Sequence, residues 1–193
     1  MLESAGFLTQ HMAAHVVAMN VVAPVLAGAL VRYKSPIAGQ RLSLAAAATL
    51  QILLLWGWHS PAILAEAFAI VPLLLAMHIS LFLAAVWFWL AVMAEAKRGG
   101  WFPLAALLLT GKLFCLLGIL LTFAPRVLYE QVAIICFGSA APAELILEDQ
   151  QLAGLLMLTA CPIVYVTAAI VIARRRLLAL GRGGGWSLPR RAV

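Results

Sequence analysis

Residues 71–94 read VPLLLAMHISLFLAAVWFWLAVMA, a run without a single Asp, Glu, Lys or Arg. About 20 mostly apolar residues in helical form cross the hydrocarbon core of a bilayer. A helix at a soluble surface needs a polar stripe, and here His78 and Ser80 are the only polar side chains besides the two tryptophans. The run therefore predicts a transmembrane helix, in which every backbone amide is satisfied within the segment.

Working outward, residues 7–31, 42–58, 103–123 and 151–173 have the same character. The expected fold class is all-α: a polytopic membrane helix bundle of about five transmembrane helices over residues 1–173, followed by a basic tail over 174–193. The connections RYKSPIAGQR, WHSPAILAEAFAI, EAKRGGWFP and APRVLYEQVAIICFGSAAPAELILEDQ carry charges, Gly or Pro and read as loops. In the last of them the apolar centre VAIICF predicts a short interfacial helix or a re-entrant piece rather than a sixth span.

Composition agrees. Of the 193 residues 65% are hydrophobic and 10% charged, against about 25% charged in a soluble domain. A soluble enzyme and a disordered chain are both excluded on that ground. The three cysteines, Cys115, Cys136 and Cys161, form no CxxC pair. Neither a zinc ribbon, a thioredoxin-type site nor a complete disulfide framework is indicated. The opening MLESAGFLTQHM lacks a basic n-region, so the first apolar stretch is read as a retained span and not a signal peptide.

The net charge of +6 gains meaning when the charges are placed on this topology. Arg32, Lys34, Arg41, Lys97, Arg98, Arg174, Arg175, Arg176, Arg182, Arg190 and Arg191 fall on one side of a five-span chain. Glu3, Glu66, Glu130, Glu144, Glu148 and Asp149 fall on the other. The positive-inside rule then predicts an N-terminus on the outer side and a cytoplasmic C-terminus. The basic excess reports orientation, and no nucleic-acid partner is expected.

The four histidines converge on the same topology. His11 and His15 lie in the first turns of the first helix, His59 at the outer end of the second, and His78 about 10 Å into the third. All four fall on the outer, acidic side. His11 and His15 are i, i+4 neighbours on one face, with Cβ atoms about 5–6 Å apart, a spacing at which two imidazoles share one metal. Met19 continues the His11/His15 stripe at i+8, and Met12, Met77 and Met157 lie at comparable levels on the first, third and fifth helices. Imidazole serves zinc, copper and iron, and thioether adds a preference for Cu(I). Ionisable groups inside a membrane are functional candidates by default.

Other polar residues have structural readings. Asp149 is expected to cap the N-terminus of the fifth helix, or to orient a ligating histidine from behind. Asn20, Gln51 and Thr110 are expected to hydrogen-bond between helices. Lys112, alone in the fourth span, is expected to snorkel. Cys115 and Cys161 reach similar depths and read as small buried apolar residues, with a facing pair of copper ligands as the alternative. Trp56, Trp58, Trp87, Trp89 and Trp101 read as interfacial belts. No nucleophile elbow, P-loop, GxGxxG or HExxH motif is present, so a non-catalytic role is expected.

HMAAHVVAMNVVAPVLAGA in the first helix, WGWHSPAI after the second, MHISLFLAAVWFWLAV in the third, TFAPRVLYE after the fourth and EDQQLAGLLM opening the fifth occur in this order. Together they resemble the CtaG family of polytopic bacterial assembly factors for caa-type cytochrome c oxidases. The resemblance implies a multi-pass protein of the bacterial inner (plasma) membrane that helps build cytochrome c oxidase. Its partners would be oxidase subunits or other assembly factors, besides membrane lipid, and its cargo copper for the oxidase copper centres. His11, Met12 and His15 match HMxxH, His59 matches WHxP, His78 matches the third-helix histidine, and Asp149 with Gln150 matches DQQ. The chain is short for the family, and Leu158 stands where Trp is common. Two other readings remain: a haem-binding membrane b-type cytochrome, in which facing histidines ligate iron, and a metal-free membrane subunit or transporter.

Overall fold

A computed structural model of the chain describes residues 6–33, 43–137 and 142–183. Among these residues every regular element is helical. In chain order they are α1 (Phe7–Val17), a π-helical turn (Ala18–Val22), α2 (Ala23–Arg32), α3 (Leu44–Trp58), α4 (Pro61–Ala69), α5 (Val71–Arg98), α6 (Phe102–Phe123), α7 (Glu130–Phe137) and α8 (Ala143–Gly183). Phe7–Arg32 forms one continuous span, and α5, α6 and α8 are each long and apolar enough to cross a membrane. α3 and α4 meet at a 75° bend and only together reach the length and apolarity of a fifth.

Three segments differ from the sequence expectation or refine it. The WHSPAILAEAFAI connection is not a loop: Pro61–Ala69 is helical, because Pro61 supplies the pre-set φ of a first turn. The fifth span starts eight residues earlier than 151, and its helix runs on through Arg174–Arg176 to Gly183. VAIICF does form a short helix, α7. Glu3, Lys34, Arg41, Arg190 and Arg191 lie outside the described residues.

The π turn has a local cause. Pro24 has no N–H, and in an α-helix its ring would press on the carbonyl of Asn20. Instead the Ala23 N–H reaches back five residues to the Ala18 carbonyl. In that register the Met19 carbonyl would need the missing Pro24 N–H. The indole Nε1 of Trp89 donates to it at 3.0 Å. Trp89 is thus a core residue, 3% exposed, and not part of an interfacial belt. Trp101, by contrast, is half-exposed.

α6 and α8 form the tightest pairing. Small residues allow it, as is usual where helices pack in lipid. A Cβ at Gly154 would collide with the hydroxyl and amide of Thr122 and with the Gly118 carbonyl, and one at Gly118 would lie 3.0 Å from the Gly154 carbonyl. Deeper in, Tyr165 packs against Phe88, Trp89 and Phe114 with centroids 5.5–5.9 Å apart. Its hydroxyl accepts from Gln51 Nε2 at 3.1 Å. Asn20 Nδ2 donates to Cys161 Sγ at 3.4 Å. Thr110 Oγ1 is buried with no partner among the described residues. Lys112 lies on the exposed face of α6.

Asp149 caps a helix, but not its own. It lies in the second turn of α8, and its carboxylate accepts from the open N-terminus of α1: Leu8 N–H at 2.8 Å to Oδ2 and Thr9 N–H at 3.1 Å to Oδ1. The Thr9 hydroxyl adds a bond of 2.5 Å to Oδ1. Gly6 makes the approach possible, since a Cβ there would overlap the carboxylate. The next residue, Gln150, is 1% exposed. It accepts from the Leu128 N–H at 2.7 Å and donates to the Leu121 and Arg126 carbonyls at 3.3 Å. The basic residues Arg32, Lys97, Arg98 and Arg174–Arg176 gather at the opposite end, where Arg176 stacks on Trp101 at 4.5 Å.

Replacing Asp149 by Ala is expected to cost about 0.5–2 kcal/mol, the range for a lost helix cap. A lowered unfolding temperature in detergent checks it, and an unchanged one would show that the cap is dispensable. Gly154→Val is expected to cost about 1–3 kcal/mol by overpacking the α6–α8 seam, read by the same melt.

Candidate metal centre

Three segments bring the four imidazoles together. α1 presents His11 and His15 one turn apart, α5 presents His78 two turns from its start, and the α3–α4 elbow presents His59 at the C-cap of α3. Ring centroids lie 4.4 Å apart for His11–His15, 4.6 Å for His15–His78 and 5.3 Å for His11–His78. His59 stands 5.5 Å from His15 and 6.0 Å from His11. His11, His15 and His78 each offer a ring nitrogen, and the three atoms lie within 4.8 Å of one another. The Nε2 atoms of His11 and His15 are 3.0 Å apart. Two nitrogens each about 2.0–2.1 Å from one tetrahedral ion would be about 3.3 Å apart, so the pair needs only a small adjustment to share a metal.

The backbone prepares two of the rings as ligands. His59 Nδ1 donates to the Leu55 carbonyl at 2.7 Å, and His78 Nδ1 donates to the Leu74 carbonyl at 2.8 Å. A proton held at Nδ1 leaves Nε2 with its lone pair, which is how metal-bound histidines are oriented from behind. His59 Nε2 is buried and has no partner among the described residues. A buried acceptor without a partner is costly, and here it sits beside three other imidazoles.

A small cavity of ≈ 10 Å³ adjoins the rings, lined by His15 and His59 together with Met12, Met19, Met157, Cys161 and Asn20. The Asn20 Oδ1 is likewise buried and unpartnered among the described residues. Three thioethers and a thiol thus flank one side of the imidazole group. Phe68 of α4 closes another, edge-on to His11 at 5.0 Å.

The structure brings together His11, His15, His59, His78, Met12, Met19 and Met157. Asp149 is not behind a histidine; it acts on the site only by holding the start of α1. Cys161 lines the cavity, whereas Cys115 is not among its lining residues. Tyr129 escapes the sequence reading. Its hydroxyl donates to the His59 carbonyl at 2.7 Å and braces the elbow. Burial pushes this phenol well above its ordinary value, so it remains a donor. The signal is present in TFAPRVLYE, but a tyrosine in a loop has no visible partner in one dimension. On the far side of the elbow, Trp58 Nε1 donates to Ser80 Oγ at 3.0 Å, tying α3 to the turn after His78.

Comparison with known proteins adds a family. No curated protein and no solved structure matches the chain. The model of the cytochrome c oxidase caa3 assembly factor family (Caa3_CtaG) matches residues 4–177, which includes every histidine, the elbow, Tyr129 and Asp149. This multi-pass helical chain belongs to the Caa3_CtaG family of cytochrome c oxidase caa3 assembly factors.

Proposed function

We propose that the protein handles copper during assembly of a caa3-type cytochrome c oxidase, as a non-catalytic factor of the bacterial inner membrane. The observation that carries this reading is the group of four imidazoles in which two Nδ1 protons are held by backbone carbonyls and one Nε2 is buried without a partner among the described residues. Such a set suits a metal ion. The neighbouring Met12, Met19, Met157 and Cys161 favour Cu(I), because thioether and thiol are soft donors. His78 is the least buried of the three clustered histidines and offers the first contact for incoming cargo.

Four imidazoles and flanking sulfur atoms exceed the coordination of one Cu(I). The surplus suits a protein that passes its ion on, since each donor can be exchanged for a neighbour without leaving the metal bare. The partners are oxidase subunits or other assembly factors. Orientation follows the charges, with the histidine end periplasmic and the basic end cytoplasmic.

The haem reading is less favoured. A bis-histidine haem needs its imidazoles on opposite faces of a flat macrocycle. Here the His11 and His15 nitrogens lie 3.0 Å apart in edge-to-face rings, with no slot between them.

Purified protein loaded with Cu(I) and washed is expected to retain copper by elemental analysis, without a Soret band. His11→Ala/His15→Ala is expected to weaken binding beyond the about 10–100-fold typical of losing a group behind a ligand. Equal copper in both proteins would sink the site, and a Soret band would replace it with the cytochrome reading. A reporter fused after Val193 is expected to behave as cytoplasmic, and a periplasmic signal would reverse the orientation.

A further inference from the structure

The basic end of the bundle holds a second, unrelated cavity of ≈ 540 Å³ between α2, α5 and α8. That volume lies within the about 300–1,000 Å³ of small-molecule sites. Lys97, Arg175 and Arg176 line it on one side, and Val31, Met93 and Ile172 give it an apolar wall. No carboxylate is among its described lining residues. Among the described residues the one ion pair nearby, or anywhere, joins Arg98 to Glu95, so the local acid is already engaged.

Arg176 is the telling residue. Its guanidinium lies over the Trp101 ring at 4.5 Å and against Gly99, where a Cβ would be 3.5 Å from Nη1. Its Nε and Nη1 atoms are buried with no hydrogen-bond partner among the described residues. A fixed, partly desolvated cation with unpaired donors calls for an anionic acceptor. The surroundings say which kind. The cavity sits where α5 ends and α6 begins, at the level of half-exposed Trp101 and Phe102. Aromatic side chains at helix ends mark the headgroup layer, and basic pockets between helices at that depth bind anionic headgroups.

The geometry points to a binding site for one anionic phospholipid, its phosphodiester held by Arg176 with Lys97 and Arg175 and an acyl chain laid along Val31, Met93 and Ile172. This site stands apart from the metal centre, at the other end of the bundle. It fixes the ends of α2, α5 and α8 through a lipid rather than through protein contacts alone.

The full chain in detergent is titrated with dioleoyl-phosphatidylglycerol, dioleoyl-phosphatidylcholine or inorganic phosphate, and bound lipid is counted by native mass spectrometry. One phosphatidylglycerol per chain is expected, with phosphatidylcholine binding more weakly and inorganic phosphate failing to displace the lipid. Arg176→Gln is expected to weaken phosphatidylglycerol binding about five- to tenfold, while Arg174→Gln, outside the lining, leaves it unchanged. Ala179→Trp, at an exposed lining position on α8, keeps every cation but fills the cavity. It is expected to lower binding as well, which keeps the test valid should Arg176→Gln fold poorly. Equal binding of the two lipids, equal loss in the two arginine variants, or undiminished binding by Ala179→Trp overturns the site. Displacement by inorganic phosphate overturns the lipid assignment in favour of a soluble anion.

Discussion

The arrangement depends on where the open amide hydrogens of α1 find acceptors. A helix begins with up to four N–H groups that its own backbone cannot satisfy, and hydrocarbon offers none in return. Asp149 supplies two acceptors from a helix 140 residues further on. That one carboxylate sets α1 against α8 and fixes the height of His11 and His15. The residue beside it, Gln150, holds the loop after α6. That loop carries Tyr129, which grips the carbonyl of His59. Two adjacent side chains on α8 therefore govern three of the four imidazoles, and the Trp58–Ser80 bond ties the fourth to the same frame.

The chemistry of the site rests on backbone as much as on side chains. Carbonyls of Leu55 and Leu74 hold the Nδ1 protons of His59 and His78, so neither ring can turn away without losing a bond in a medium that offers no substitute. An ion arriving at this group would meet donors already facing inward, with little ordering left to be done.

The spans are legible in the sequence because, in a chain with so little charge, a 20-residue apolar run suits a bilayer and almost no other surroundings. Convergence of the histidines is legible too, since helix direction and a rise of about 1.5 Å per residue place each at one end. Partners are another matter. Asp149 reads as the cap of its own helix, because a local cap is the nearest solution in sequence; the actual acceptor geometry spans two helices and needs the missing Cβ of Gly6. Pro61–Ala69 reads as a connection because nine residues are too few to cross a bilayer, yet they suffice for a helix lying against others. Trp89 reads as interfacial because a tryptophan near a helix end usually is, and nothing local reveals that Pro24 leaves a carbonyl for it to serve.

That proline has a wider consequence. The π turn at Ala18–Val22 amounts to one extra residue let into an otherwise regular span. The imidazole-bearing α1 above it and α2 below are thereby offset by roughly 100° from the phase a continuous helix would give them. Deleting one residue there would turn the whole upper segment by about that angle and swing its histidines towards another neighbour, while Pro24 would still leave one carbonyl without an N–H. The first span is thus an angular coupling whose setting is stored in chain length. Side-chain changes along it leave that setting alone, whereas an insertion or deletion between His15 and Pro24 resets it.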